Sequence, residues 1–226
     1  MILFSYSMNK IFSFYHQLLK MYSPQGWWPL LECEHLGKNP TKTGSMTGYH
    51  PNDFSYPKSE RQRFEICIGA ILTQNTNWIN VEKALKNLSK LNAIDAKKIL
   101  SIEINKLSQA IRPAGYHNQK AKKLNIFAAY YLGLDGRIPA REDLLSIWGI
   151  GPETADSILL YAYKQPEFVV DAYTRRILTG MNIIEEKSGY NEIKPLFEKN
   201  LPKDYKIYQE FHALIVEHAK SIRKIR

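Results

Sequence analysis

From Arg61 onward the apolar positions recur at intervals of three and four, the period of helices that turn one face towards a core. Phe64, Cys67, Ile68, Ile71 and Leu72 predict one helix, and Trp78, Val81, Ala84, Leu85 and Leu88 predict a second that begins near Asn77, with the polar corner TQNTN between them. The same spacing predicts helices at about 95–112, 118–133, 141–147, 152–163, 171–180, 190–199 and 204–222, joined by short turns. Only EFVV at 167–170 reads as extended, and it is too short to found a sheet. The class is therefore all-α, without internal repeat or low-complexity tract.

Two stretches stand outside this rhythm. The N-terminal segment to Tyr22 is apolar and aromatic, but Lys10, His16 and Lys20 interrupt it before it reaches membrane-spanning length, and no small-residue cleavage site follows. It reads as a helix docked on the core, with Met8 an alternative start to Met1. Residues 35–60 carry proline, glycine and small polar residues without hydrophobic period, and read as an irregular loop or flexible insertion.

LSIWGIGPETADSILL, residues 145–160, sets Gly149 and Gly151 about Ile150 and puts Pro152 where a helix starts. Proline suits a first helical position because its missing N–H would be unpaired there, and glycine admits torsions closed to other residues. The result is helix, hairpin, helix. Unpaired amides at such a turn suit a phosphate, and a surface without side chains admits a DNA backbone regardless of sequence. The same turn also serves as an ordinary link between helices. Further on, Asp171 opens the next helix, a position that capping alone explains.

Composition adds a partner class. Forty-four per cent hydrophobic and 12% aromatic residues in a 226-residue chain belong to a folded protein rather than a disordered one. Lys and Arg outnumber Asp and Glu by 31 to 22, a net charge of +9, which favours an anionic partner without choosing between nucleic acid and an acidic surface. Cys33 and Cys67 form no zinc pair, redox motif or disulfide framework, which points to a reducing compartment.

The hairpin, its spacing to Asp171 and the context VVDAYTRR resemble the helix-hairpin-helix DNA glycosylase superfamily that includes endonuclease III. The resemblance spans roughly residues 22–220 and implies a two-lobed fold: a central helical lobe at 62–165, and a second lobe made from 1–61 with 166–226. It implies that Asp171 is the catalytic carboxylate of base excision, stabilising the positive charge that builds on the deoxyribose and orienting or deprotonating the attacking water. The target base is flipped out of the stack, and Gln74, with Asn75 beside it, matches the position that fills the gap. Without that resemblance TQNT is simply a polar corner. Arg112, Lys120, Lys122 and Lys123 in RPAGYHNQKAKKL match a segment near the DNA backbone, or form a solvated basic face. Gly149, Ile150, Gly151 and Thr154 complete the implied DNA contacts.

Bifunctional members of the superfamily carry a lysine where this chain has Glu153, and a carboxylate forms no Schiff base. A monofunctional enzyme that uses water follows. WWP at 27–29, LTQNT followed by Trp78, RPAGYHNQKAKKL and GIGPETAD are together similar to the 3-methyladenine DNA glycosylase III branch. This implies a pocket of Trp27, Trp28, Pro29 and Trp78, with Glu153 nearby, in which a positively charged alkylated purine stacks on aromatic rings. Adjacent tryptophans equally serve packing. A lysine that some members bring from the last helix falls at Leu214 here, and the four cysteines of an iron–sulfur cluster are missing from the C-terminus, whose basic tail is expected to touch phosphate.

The expected partner is double-stranded DNA containing a damaged base, bound by a monomer in the cytoplasm at the nucleoid, without membrane association. No cofactor or catalytic metal is required; a sodium or potassium ion at the hairpin is implied by relatives. Three rivals stay open: a glycosylase/lyase on oxidised pyrimidines using another amine such as Lys120 or the N-terminus, a thymine or uracil mismatch glycosylase, and a non-catalytic binder of damaged DNA.

Overall fold

A computed structural model describes residues 2–37, 39–41, 45 and 47–223. Met1 and the last three residues of the basic tail lie outside them. Eleven α-helices occur among the described residues: α1 (Ile2–Tyr22), α2 (Glu60–Leu72), α3 (Trp78–Lys90), α4 (Ala96–Ser101), α5 (Ile104–Ala110), α6 (His117–Leu134), α7 (Arg141–Ser146), α8 (Pro152–Ser157), α9 (Ala172–Gly180), α10 (Tyr190–Glu198) and α11 (Tyr205–Arg223). No strand occurs among them, as the all-α reading expects.

Local signals set most boundaries. Ser59, Asn77, Asp95 and Asp171 each cap a helix by accepting an amide hydrogen bond three residues on. The single helix expected at about 95–112 is instead α4 and α5. Glu103 breaks it, because its carboxylate takes the amides of Asn105 and Lys106 and so starts a new helix where the apolar period alone runs on.

α3 to α6 pack on one another on one side, and α1, α9 and α11 on the other. α2 and α8 lie between them, joined by a wide turn of π-helix, Ile158–Ala162, that continues α8 and touches both α2 and α11. A continuous apolar core runs through both sides, from Ile11 and Leu18 through Phe64 and Ile71 to Phe168 and Phe211. The π turn frees main-chain groups, and Gln209 answers one of them, its Nε2 donating to Leu160 O at 2.8 Å.

The stretch expected as an irregular loop or flexible insertion is irregular where described, and in part it is built into the fold. A 3-10 turn at Leu31–Leu36 opens it. Leu30 N donates to Gly48 O and His50 N to Gly26 O, zipping residues 48–50 against the tryptophan segment. The approach is so close that a Cβ on Gly48 would stand 2.6 Å from Leu30 O, and one on Gly26 2.2 Å from Pro51 N.

Candidate active site

Between the two groups of helices lies a cavity of about 170 Å³. Trp27, Trp28, Pro29, Tyr49 and Trp78 supply its aromatic and apolar wall; Gln74, Glu153, Thr154, Asp171, His212 and Lys220 supply its polar one. Every candidate base-pocket residue read from the sequence therefore faces one space, together with Asp171.

The tryptophans differ in office. Trp28 is buried, edge-on to Trp78 with ring centres 5.1 Å apart and tilted on Tyr161 at 5.0 Å. Its indole lies over Gly69, where a Cβ would come within 3.2 Å of the ring nitrogen. Trp28 is thus the floor, while half-buried Trp27 and Trp78 keep ring surface for a guest. Two buried carboxylates pin the segment: Glu210 of α11 accepts from Gln25 N at 2.7 Å, and Glu65 of α2 from Leu31 N at 2.8 Å.

Asp171 Oδ1 accepts from Thr174 N at 2.7 Å, as the capping reading requires, and Oδ2 stands 3.6 Å from His212 Nε2. Burial pushes this carboxyl's pKa up, but the His212 ring and the Thr174 amide outweigh it and leave it below its ordinary value. His212 is held on its other side by Tyr161, with 2.7 Å between Nδ1 and the hydroxyl. Glu153 goes the other way. Dehydration on its protein side, then the charge of Asp171, raise its pKa to about 7. Its outer side stays open to water, which screens that effect, so the direction matters more than the size. The two neighbouring carboxyls are thus shifted in opposite directions, Asp171 down and Glu153 up.

The hairpin follows its sequence closely at one glycine and differently at the other. Gly149 has φ +85°, and a Cβ there would meet the Lys123 stem at 2.5 Å. Gly151 is extended and has open space where a side chain would be, so it serves close approach rather than an unusual torsion. The amides of Gly149 and Gly151 donate to nothing among the described residues, whereas the Ile150 side chain is buried. Of that trio the two glycine amides are left to meet a phosphate, since Ile150 N already donates to Ile147 O at 3.0 Å.

Other candidates need correction. Lys120 is no part of a basic face: it is 2% exposed, and its Nζ donates to Leu72 O and Ala114 O at 2.7 and 2.8 Å, tying the ends of α2 and the 112–114 turn together. Burial lowers its pKa to about 8. Thr154 is buried too, its Oγ1 accepting from Gln74 Nε2 at 3.0 Å. Gln74 also donates to Gly149 O at 3.0 Å and accepts from Lys123 Nζ at 2.5 Å, so it is clasped to the hairpin. Asn75 beside it is exposed, with φ +53°. Arg112 and Lys122 are exposed, as a DNA-facing pair must be.

Sequence reasoning missed Tyr49, His212, Lys220 and Tyr116. Leu214 is wholly buried, and the lysine that α11 brings to the cavity is Lys220 instead. His212, Val216 and Lys220 all line the cavity at intervals of four, a helical stripe that α11 shows in its sequence. Tyr116, 65% exposed at φ +46°, crowns the turn before α6; a bulky residue held in that conformation marks strain kept at a surface.

Cys33 and Cys67 are both buried and free, and no grouping of His, Cys, Asp or Glu able to hold a metal ion occurs among the described residues. No helix among them is long and apolar enough to cross a membrane.

The comparisons with known proteins agree with this geometry. The pattern of the HhH-GPD superfamily of base excision DNA repair proteins matches residues 68–203. A Methanocaldococcus jannaschii protein, provisionally named as a DNA repair glycosylase, is 42% identical over 93% of this chain and 87% of its own. Endonuclease III of Sulfolobus acidocaldarius is 30% identical over 74% of this chain and 76% of its own. Among solved structures, Helicobacter pylori 3-methyladenine DNA glycosylase bound to 1,N6-ethenoadenine superposes with a TM-score of 0.70 at 30% identity, covering 96% of this chain and 98% of that one. An endonuclease III trapped covalently on DNA shares the fold, with a TM-score of 0.70 at 19% identity and coverage of 92% and 84%. The chain belongs to the HhH-GPD superfamily of base excision DNA repair proteins and is a DNA repair glycosylase.

Proposed function

We propose that this glycosylase is monofunctional and releases an alkylated purine, such as 3-methyladenine, from double-stranded DNA by hydrolysis. The observation that carries the reading is the shared cavity: half-buried Trp27 and Trp78 face the same space as Asp171, and position 153 holds a carboxylate instead of an amine. A cationic base gains cation–π attraction from indole faces, worth roughly 0.5–2 kcal/mol, which a neutral purine lacks. Glu153 adds to that selection when ionised, by attracting a positively charged guest.

The chemistry needs few groups. The C1′–N bond breaks, and its electron pair leaves with the alkylated base, which departs neutral and needs no proton from the protein. Asp171, kept ionised, stabilises the oxocarbenium ion and takes the proton of the water that adds to C1′. The free amides of Gly149 and Gly151, with Arg112 and Lys122, hold the phosphates in register. A monovalent cation at the hairpin, which the resemblance implies, would rest on main-chain carbonyls there, and no step of the reaction runs through it.

A second reading, strand cleavage by an amine, has one observation in its favour. Lys220 lines the cavity, and burial lowers its pKa. Duplex oligonucleotides carrying an alkylated purine, hypoxanthine, uracil, a thymine mismatch or an oxidised pyrimidine decide between the two. Breaks that need hot alkali, strongest for the alkylated purine, are expected; breaks without alkali, together with an adduct trapped by borohydride, would overturn the monofunctional reading.

A further inference from the structure

The segment that delivers Asp171, Glu167 to Val170, belongs to no helix or sheet among the described residues. Buried main-chain amides outside such elements need acceptors from elsewhere. Here the acceptors come from the side chains of α10. Phe168 N donates to Glu198 Oε1 at 3.0 Å, and Val170 N to the Tyr190 hydroxyl at 3.4 Å. Between them Lys194 pairs with Glu167 and stands 3.5 Å from Glu198. Tyr190, Lys194 and Glu198 are four apart, one stripe of the helix. The Phe168 ring also stacks on Phe197 at 3.8 Å.

The stripe is tied in turn to the hairpin helix. Asp156 of α8 is wholly buried, accepts from the Tyr190 hydroxyl at 2.7 Å, and pairs with Lys194 at 3.2 Å. Arg141 of α7 binds the same carboxylate through two nitrogens, at 2.6 and 3.1 Å. A buried carboxylate with three such partners is satisfied, and so is costly to move. Nothing in the base excision chemistry requires it, because none of these groups lines the cavity.

We infer that Tyr190, Lys194 and Glu198, braced by Asp156, are positioning residues that fix the segment ahead of Asp171 and thereby set where its carboxylate stands relative to the sugar. The inference rests on the reading of Asp171 as the catalytic carboxylate. Displacing a reacting group by about 1 Å costs on the order of a hundredfold in rate. Loosening that segment therefore slows the chemical step without altering how DNA is held.

The test is single-turnover excision of an alkylated purine across a range of protein concentrations. Tyr190→Phe keeps the ring and deletes the hydroxyl; its maximal rate is expected to fall between about ten- and a hundredfold, with the half-saturating concentration within about twofold of wild type. Glu198→Gln, whose amide oxygen still accepts from Phe168 N, is expected to keep the rate, and Glu198→Ala to lose it. A Tyr190→Phe protein with wild-type maximal rate, or equal losses in Glu198→Gln and Glu198→Ala, overturns the inference. Asp171→Asn separates it from the reading beneath. Full excision by that variant overturns both, whereas an inactive Asp171→Asn beside an unimpaired Tyr190→Phe overturns the positioning role alone.

Discussion

His212 Nε2 stands 3.6 Å from Asp171 Oδ2, while its Nδ1 is held at 2.7 Å from the Tyr161 hydroxyl. A ring fixed on one side and facing a partly buried carboxylate on the other steadies the charged form of that carboxylate. The aspartate can then stay ionised in surroundings whose dehydration works against its charge.

Removing the ring nitrogens moves the acid limb of the reaction. In His212→Phe the aromatic volume persists but the support for the anion is gone, so the Asp171 pKa rises. The ionised form on which the proposed mechanism relies is then reached only at higher pH. Single-turnover rates measured from acid to neutral pH are expected to show that limb displaced upward, with rates converging towards wild type at the alkaline end. A limb that stays in place would mean that His212 only packs.

Asp171→Asn distinguishes a catalytic carboxylate from a helix cap. Asparagine caps as well as aspartate, its side-chain oxygen still accepting from Thr174 N, so the melting temperature is expected to change little. It carries no charge to oppose an oxocarbenium ion. Excision is expected to fall by at least about a hundredfold, with binding of undamaged duplex retained. Equal activity in mutant and wild type would reduce Asp171 to its structural part.

Position 153 tests the hydrolytic reading from the opposite side. Glu153→Lys places an amine at the mouth of the cavity, where dehydration lowers a lysine pKa and the charge of Asp171 raises it, and whatever fraction is deprotonated is nucleophilic. This variant is expected to form a borohydride-trapped adduct with abasic duplex that the wild type does not form. Lack of an adduct would place residue 153 out of reach of C1′.

How far the sequence foretells these features depends on the range of the interactions. The hairpin, Asp171 and the tryptophan pair are written in short stretches whose torsions and caps are local, and they stand together in the structure. The break at Glu103 was hidden because the apolar period of α4 runs in phase into α5, and only the carboxylate's reach to two amides divides them. Lys120 was misread because a lysine in a basic run reads as solvated. Here two carbonyls, one of them 48 residues away in sequence, receive its ammonium inside the protein. Tyr49 and Lys220 reach the cavity from opposite ends of the chain, and spacing within either segment says nothing of their meeting.

Glu65 and Glu210 make the wall of the cavity sensitive to pH. Both are buried, and dehydration, only partly offset by the main-chain amides they accept from, raises each pKa from 4.5 to about 7. A carboxyl whose folded pKa lies above its unfolded one binds more protons in the native state. Its contribution to stability is complete below the unfolded value and is lost as pH rises through the folded one. From pH 4.5 to about 7 each group thus withdraws on the order of 3 kcal/mol, at about 1.4 kcal/mol per pH unit. Glu210→Gln keeps an oxygen for Gln25 N and cannot ionise. Its melting temperature is expected to fall less steeply than wild type across that window and to match or exceed wild type above neutral pH. Parallel melting curves for the two proteins, taken by circular dichroism at stepped pH, would show instead that Glu210 titrates as an ordinary carboxylate.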